Sequence, residues 1–261
     1  MIRPYLPADR RQLIALWSRV FGDPTELVEA FYEMLPYMGC CCVAAETGKV
    51  LGMAHMIHGL TLWQPGQAPM TCGYLYAVAV SEEARGRGLG SELSRAAAAL
   101  GREQGAELIC TLPAEESLYG WYGEVLDLRC RSSRTVYTAD SLPKGCFRIS
   151  MAEYGYYRED LLQKKAHVEL NNAALAFQAN LCETYGGGLY RSQDALFCAT
   201  CEDKIWRFRE VLSFAAGDAS SAGYASPFGS VQPQGLRSSV VPSVASEAPL
   251  PKDLIWNLTF D

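Results

Sequence analysis

The sequence predicts a mixed α/β fold, on three observations. Segments with helical and with strand periodicity alternate through the first half of the chain. Residues 50–81 contain no Asp, Glu, Lys or Arg, and the Gln-Pro-Gly-Gln loop at 64–67 divides them, so two buried strands explain them better than a membrane-spanning helix. A glycine-rich turn at 86–90 separates a buried strand from a helix. These patterns predict helices packed on a mixed sheet.

The first half divides into helix, helix, hairpin, strand, helix, strand, helix and strand. Asp9 is suited to cap the first helix, and Gly22-Asp23-Pro24 ends that helix and begins the second. Apolar periodicity and turn residues predict the rest: strands at 41–46, 50–62 and 73–80, a helix from Leu89 to Gly105, a strand at 108–112, a helix at 115–125 and a strand at 131–138. This order predicts a mixed α/β domain over residues 1–140.

The second half, residues 141–261, carries weaker patterns and is expected to form a smaller α/β domain. Its predicted elements are helices at 154–166 and 172–183, followed by strands near 189–191, 196–201 and 205–212. From 215 to 251 the composition shifts to Ala, Ser, Gly and Pro, which predicts loop or disorder around a candidate strand at 224–231. A last strand is expected at 255–260.

Composition limits the function classes. Apolar residues make up 49% and charged residues 20%, which is typical of a globular protein and excludes disorder for most of the chain. The formal net charge of −6 argues against duplex DNA as a partner. Residues 1–5 do not resemble a signal peptide, and the ten cysteines lack a disulfide-framework spacing. We expect a cytoplasmic protein with no membrane or nucleic-acid partner, and the sequence leaves its oligomeric state open, a homo-oligomer included.

The glycine-rich turn is the motif that carries chemistry. Successive amides at such a turn, together with the N-terminus of the following helix, form a site for anions such as phosphates. Gly86, Gly88 and Gly90 allow backbone to approach a ligand closely, and Arg85 and Arg87 add positive charge. No Gly-Lys-Ser/Thr follows, and the spacing is Gly-x-Gly-x-Gly, so the turn is neither a P-loop nor the dinucleotide fingerprint.

Residues 78–90 resemble the acetyl-coenzyme A motif of the GNAT acyltransferase superfamily, a strand followed by Arg/Gln-x-x-Gly-x-Gly/Ala and a helix. Arg85, Gly88 and Gly90 fill its three fixed places, and Glu82 stands where the superfamily usually has proline. The resemblance implies a GNAT fold over the first half and acetyl-coenzyme A as co-substrate, with no metal. The backbone that would bind its pantetheine arm is that of Val78, Ala79 and Val80. The amides that would hold its pyrophosphate are those of Arg85, Gly86, Arg87, Gly88, Leu89, Gly90 and Ser91.

The same resemblance implies a tyrosine that protonates the departing thiolate. In GNAT enzymes this residue lies between the fifth strand and the following helix, in an aromatic–Tyr pair, and Trp121-Tyr122 fits that pair. The superfamily's following Gly-Phe is replaced by Leu126-Asp127, which leaves the register open. Tyr119 lies one helical turn earlier on the same face and is the alternative acid. A phenol with a pKa of ~10 suits a thiolate of similar basicity.

The chain also resembles a reduced version of the enhanced-intracellular-survival acetyltransferases, in which a degenerate GNAT-like domain follows the first and the C-terminus reaches the active site. This similarity is carried by residues 74–78, 112–114 and 256–260. Many GNAT enzymes place a Glu on the fourth strand to deprotonate the acceptor, but residues 73–77 contain no carboxylate. The other base candidates are His55, His58, Glu29, Glu33 and the terminal carboxylate of Asp261, and the sequence favours none of them.

We expect an acetyl-coenzyme A-dependent N-acetyltransferase that transfers the acetyl group directly to an amine, a small molecule or a peptide, whose identity the sequence does not give. Two alternatives stay open: a non-catalytic coenzyme-binding sensor, and a tandem-GNAT aminoacyl transferase that uses charged tRNA. Cys198 and Cys201 form one Cys-x-x-Cys pair without a second, so zinc is disfavoured. Cys110 lies on the predicted fifth strand, where an acyl-cysteine relay is conceivable, but the superfamily transfers the group directly.

Overall fold

The computed structural model describes residues 1–214, 228, 233–251 and 254–256, apart from the side chain of Ser243. Within them, twelve strands form one mixed sheet and six α-helices pack on it. The strands are β1 (Ile2–Pro4), β2 (Gly39–Glu46), β3 (Lys49–Trp63), β4 (Met70–Val80), β5 (Leu108–Thr111), β6 (Arg129–Ala139), β7 (Phe147–Arg148), β8 (His167–Leu170), β9 (Gly188–Arg191), β10 (Ala195–Glu202), β11 (Ile205–Ser213) and β12 (Arg237–Ser246). The helices are α1 (Arg10–Phe21), α2 (Thr25–Met38), α3 (Leu89–Glu103), α4 (Glu116–Leu126), α5 (Met151–Leu162) and α6 (Asn172–Thr184).

The strand order across the sheet is β1-β2-β3-β4-β5-β12-β6-β11-β10-β9-β7, and β8 pairs with β3 off this path. Neighbouring strands are antiparallel except β4 and β5, which are parallel. Three strands of the second half therefore pair with the first half, because β8 adds to β3, β12 lies between β5 and β6, and β11 pairs with β6.

The predicted mixed α/β fold is confirmed, and so is the predicted element order of the first half from α1 to β6. Strand β1 precedes these elements and was not predicted. One detail is wrong: Asp9 does not cap α1 with its side chain. A short 3₁₀ turn, Pro7–Asp9, runs directly into α1, so Asp9 already has helical backbone angles. Its carboxylate instead accepts hydrogen bonds from the Arg3 guanidinium at 2.6 and 2.8 Å.

The second half departs further from the prediction. Helix α5 begins at Met151 rather than at 154, because Ser150 and Glu153 form a capping box at its N-terminus. Helix α5 also ends at Leu162 rather than at 166, and strand β8 occupies residues between the two predicted helices. Strand β12 lies within the segment predicted as loop or disorder. Apart from Phe228, the candidate strand at 224–231 falls outside the described residues, as do residues 257–260 of the last predicted strand. Ile255 forms a single bridge with His167.

The largest apolar core is built from both halves of the chain. Phe31 on α2 packs against Phe177 on α6, with ring centroids 5.0 Å apart. Val168 and Leu181 are buried in the same cluster as Leu13 and Trp17. The sheet also continues through residue 140, because β6 pairs with β11. The division at residue 140 stays a prediction. Among the described residues, no helix is both long and apolar enough to cross a membrane.

A buried ion pair stabilises the second half. Arg158 on α5 and Glu210 on β11 are 1% and 2% exposed, and Arg158 Nε donates to the Glu210 carboxylate at 3.0 Å. The Tyr154 hydroxyl donates to the same carboxylate at 2.6 Å. Arg158 also pairs with Glu159, whose side chain is 43% exposed. One guanidinium thus has a buried and a solvated carboxylate partner.

We predict that Glu210→Gln lowers the free energy of unfolding by about 3–5 kcal/mol, because it removes the buried counter-ion of Arg158 and leaves only the solvated Glu159 as a partner. Glu159→Gln removes the solvated partner of the same arginine and should cost less than about 1 kcal/mol. Urea unfolding followed by circular dichroism measures both. Equal losses in the two variants would contradict the ranking.

Candidate active site

A gap opens in the sheet where β4 and β5 separate. The two strands pair only through Cys72–Tyr74 of β4 and Leu108–Cys110 of β5. Beyond this ladder, the Leu75 carbonyl accepts a hydrogen bond from the Thr111 hydroxyl at 2.8 Å instead of from a strand amide. The other edge of β4 remains paired with β3 as far as Val80. The backbone of residues 76–80 therefore presents an edge that β5 does not cover.

A bulge in β4 shapes this edge. Ala77 has a φ of +46°, an uncommon left-handed conformation for a residue with a side chain, and the register between β3 and β4 shifts near it. The His55 imidazole lies 3.3 Å from the Ala77 carbonyl through Nδ1 and 3.0 Å from the Tyr32 hydroxyl through Nε2. A carbonyl only accepts, so Nδ1 carries the proton and Nε2 accepts from Tyr32. A neutral His55 thus fixes the carbonyl of the bulged residue.

The glycine-rich turn follows β4 and leads into α3. Gly86 and Gly88 have φ values of +76° and +78°, which explains glycine at both positions. Gly88 is the N-cap of α3, and within the described residues no side chain caps this helix. The amides of the first turn are therefore available to a ligand. The arginine side chains are engaged with the protein, because Arg85 Nε donates to the Val80 carbonyl at 3.4 Å and Arg87 pairs with Glu46 at 3.4 Å.

Tyr119 and Tyr122 both line a cavity of about 810 Å³ at the gap. Tyr122 is buried and Tyr119 half-buried on α4, and both line the same cavity as Tyr76, Ala77 and Val78 of β4. Next to Tyr122, Trp121 packs on the glycine turn: a Cβ added at Gly90 would lie 3.6 Å from its ring. The structure therefore brings the two predicted tyrosines, the β4 edge and the turn to one region of the molecule.

Residues 1–124 match the family model of the acetyltransferase (GNAT) domain. Over these residues the chain is similar to the GNAT acetyltransferase domain. The match covers β1 through most of α4 and so includes the gap, the glycine turn and both tyrosines.

Solved structures extend the likeness to the second half. A GCN5-related N-acetyltransferase from Kribbella flavida is 14% identical and superposes with a TM-score of 0.62, covering 94% of this chain and 71% of that one. Eis1 from Mycobacterium abscessus is 11% identical, with a TM-score of 0.62, and the match covers 94% of this chain and 73% of that one. The fold is thus a GNAT domain followed by a smaller GNAT-like α/β part, as the resemblance implied. A search of curated proteins gives no match.

The second half supplies one wall of the cavity next to the GNAT domain. Asp23, in the loop between α1 and α2, accepts a hydrogen bond from Trp17 Nε1 at 2.7 Å and another from the hydroxyl of Tyr185, which follows α6. Burial and the hydrogen bond to Asp23 raise the pKa of Tyr185, so the phenol stays protonated and keeps donating. Glu202 and Arg209 line the same wall. Sequence reasoning missed Asp23, Tyr185, Glu202 and Arg209, because they lie in no local motif.

The structure separates four of the five base candidates from the cavity. His55 is fully buried, and burial lowers the pKa of its imidazole to about 4, so it cannot reach an acceptor. His58 is half-buried on β3 and lies outside the cavity wall. Glu29 and Glu33 lie on the exposed face of α2. Arg10 donates a hydrogen bond to the Glu29 carbonyl and forms an ion pair with the Glu33 carboxylate. Asp261 falls outside the described residues, and its role stays a prediction.

Within the part of the chain that the structure describes, the cysteines form no metal cluster, and Cys110, the candidate for an acyl-cysteine relay, is not accessible. No group of three or more metal-ligating side chains occurs among these residues. Cys110 is fully buried, burial raises the pKa of its thiol, and its Sγ donates to the Gly73 carbonyl at 3.5 Å. Burial thus keeps this thiol protonated and inert.

We predict that His55 makes the protein less stable in acid. The unfolded imidazole has a pKa near 6.5 and the folded one about 4, so only the unfolded state binds a proton between these values. The free energy of unfolding should therefore fall by roughly 3 kcal/mol as the pH drops through this window, and this contribution is complete above it. Urea unfolding gives the free energy of unfolding at each pH. Its slope against pH in this window should be shallower for His55→Gln than for the wild type, whereas His58→Gln should retain most of the wild-type slope. Identical slopes for the wild type and His55→Gln would contradict the assignment.

Proposed function

We propose that this protein is an N-acetyltransferase that moves the acetyl group of acetyl-coenzyme A directly to the amine of an acceptor bound in the cavity. The observation that carries the proposal is the meeting of two surfaces at the gap between β4 and β5. One is the uncovered backbone edge of β4, continuous with the glycine turn. The other is a cavity lined by tyrosines and carboxylates.

The coenzyme side consists of backbone groups. The amides of residues 85–91 at the turn and the N-terminus of α3 suit a pyrophosphate, since they supply hydrogen-bond donors and a partial positive charge. The β4 edge at Val78, Ala79 and Val80 suits the amides of a pantetheine arm, which would add to the sheet in place of β5. An arm that follows this edge from the turn leads towards Val78, which lines the cavity.

The chemistry needs a neutral amine, a stabilised oxyanion and an acid. The amine nitrogen forms a bond to the thioester carbonyl carbon, main-chain amides of the β4 edge hold the oxygen as it gains charge, and the carbon–sulfur bond breaks. The Tyr122 hydroxyl gives its proton to the departing thiolate. The proton that the amine loses goes to the solvent or to a cavity carboxylate, of which Asp23 and Glu202 are the members near the second half.

We predict that a negative charge at Gly88 weakens the binding of acetyl-coenzyme A. Asp and Asn have the same shape and both tolerate the left-handed conformation of this residue, where a Cβ meets open space. Gly88→Asp should bind at least roughly tenfold more weakly than Gly88→Asn, because its carboxylate faces the pyrophosphate. Isothermal titration calorimetry with acetyl-coenzyme A measures the difference. Equal dissociation constants in two folded variants would remove the coenzyme from this turn.

We predict that Tyr122→Phe slows turnover without weakening coenzyme binding. The change keeps the buried ring and removes one hydroxyl, so kcat should fall by about 10²–10⁴-fold while the dissociation constant of acetyl-coenzyme A stays within about threefold. The release of free thiol from acetyl-coenzyme A with a pool of amines measures kcat. Tyr119→Phe, one turn earlier on the same cavity wall, is the matched control and should cost far less.

The possible outcomes separate the alternatives. A larger loss in Tyr119→Phe than in Tyr122→Phe would assign the acid to Tyr119. Bound coenzyme with no thiol release from the wild-type protein, whatever the amine, would favour the coenzyme-binding sensor.

A further inference from the structure

Arg209 brings a cation to the cavity wall of the second half. It lies on β11 beside Glu210, at the bulge where the register between β10 and β11 shifts. Arg209 lines the cavity, and its Nε is buried with no hydrogen-bond partner among the described residues. Arg158, by contrast, has two carboxylate partners.

The surroundings of Arg209 contain both signs of charge. Its positive charge acts on the Tyr185 phenol in the direction that lowers the pKa, and the negative charge of Glu202 acts in the opposite direction. Asp23 accepts the hydrogen bond of that same phenol. Two carboxylates and one guanidinium therefore surround Tyr185 at this end of the cavity. Within the described residues, no ion pair includes Arg209.

A buried guanidinium N–H without an acceptor is unfavourable, and a bound acid group would supply the missing acceptor. The phosphates of the coenzyme are not suited to this role. The turn proposed to hold them, with Gly86 and Gly88, does not contribute to the described cavity wall. Arg134, on the neighbouring strand β6, also lines the cavity and adds a second positive charge to the wall.

We propose that the acceptor carries an acid group, a carboxylate or a phosphate, in addition to its amine, and that Arg209 binds this acid group. The inference rests on the proposed acetyl transfer and gives the substrate class of the same site. A cavity with carboxylates and guanidinium groups on one wall matches a zwitterion better than a simple amine or a polyamine, because each charged group of the ligand meets its opposite.

The test uses amines in matched pairs that differ in the acid group: phenylalanine and phenethylamine, tryptophan and tryptamine, and O-phosphoethanolamine and ethanolamine. Thiol release from acetyl-coenzyme A is measured for the wild-type protein, Arg209→Gln, Arg209→Lys and Arg207→Gln. Arg207 is exposed on the same strand and outside the cavity wall, so it is the matched control.

For the wild type we expect kcat/KM to be at least roughly tenfold higher for the acidic member of a pair than for its partner. Arg209→Gln should raise KM for the acidic member about 10–100-fold, the effect of losing a hydrogen bond to a charged group. The kcat value, the coenzyme affinity and the neutral member should change less than about threefold. Arg209→Lys should recover part of the loss, and Arg207→Gln should behave as the wild type. A response confined to phenylalanine and tryptophan assigns a carboxylate, and one confined to O-phosphoethanolamine assigns a phosphate.

Two results would overturn the inference: a preference for the neutral members, or an equal loss for both members of a pair in Arg209→Gln, which marks a structural role. If no probe releases thiol, calorimetry of the same probes with the protein saturated with coenzyme A decides. Binding of the acidic members that Arg209→Gln abolishes supports the acid site while overturning the acetyl transfer. Absence of such binding overturns the acid site.

Discussion

The pairing of β12 with β5 on one side and β6 on the other is the constraint on which the arrangement of the two halves depends. A strand from the end of the chain fills the position beside β5, so β6 cannot take that position. Glu247, directly after β12, accepts a hydrogen bond from the Ile109 amide at 2.9 Å and pairs with Arg102 on α3. These contacts fix the end of β12 to the strand that borders the gap. They also bring Val241 and Pro242 into the cavity wall.

Local signals allowed most of the fold to be predicted, and β12 shows where they fail. Helices α1, α2 and α3 have apolar stripes and terminal glycines, and these features act within a few residues of one another. Strand β12 instead carries serines and Pro242, and its strand conformation comes from neighbours about a hundred residues earlier in the chain. The register shifts between Pro242 and Val244, and such an irregularity accommodates a residue that has no amide hydrogen.

The candidate site divides in the same way. The glycine turn was recognisable because a left-handed backbone demands glycine at Gly86 and Gly88. Ala77 has the same left-handed backbone conformation although it is not a glycine. Only the hydrogen bond between its carbonyl and His55 shows what holds the bulge in place. His55 itself was a candidate base in the sequence, whereas its burial makes it a neutral partner of a backbone carbonyl. Asp23 and Tyr185 are hydrogen-bonded but far apart in the chain, so no spacing rule joins them.

The two sides of the proposed reaction therefore depend on sequence to different degrees. The coenzyme side consists of main-chain groups from one continuous segment, and any sequence that keeps the turn and the β4 edge retains those donors. The acceptor side consists of side chains from both halves, among them Asp23, Tyr185 and Arg209, and one substitution changes its charge. At 11–14% identity, relatives share the fold, while side chains at single positions are free to differ. The acceptor of this protein must accordingly be inferred from its own cavity, where the most specific feature is Arg209, whose Nε is buried without a hydrogen-bond partner among the described residues.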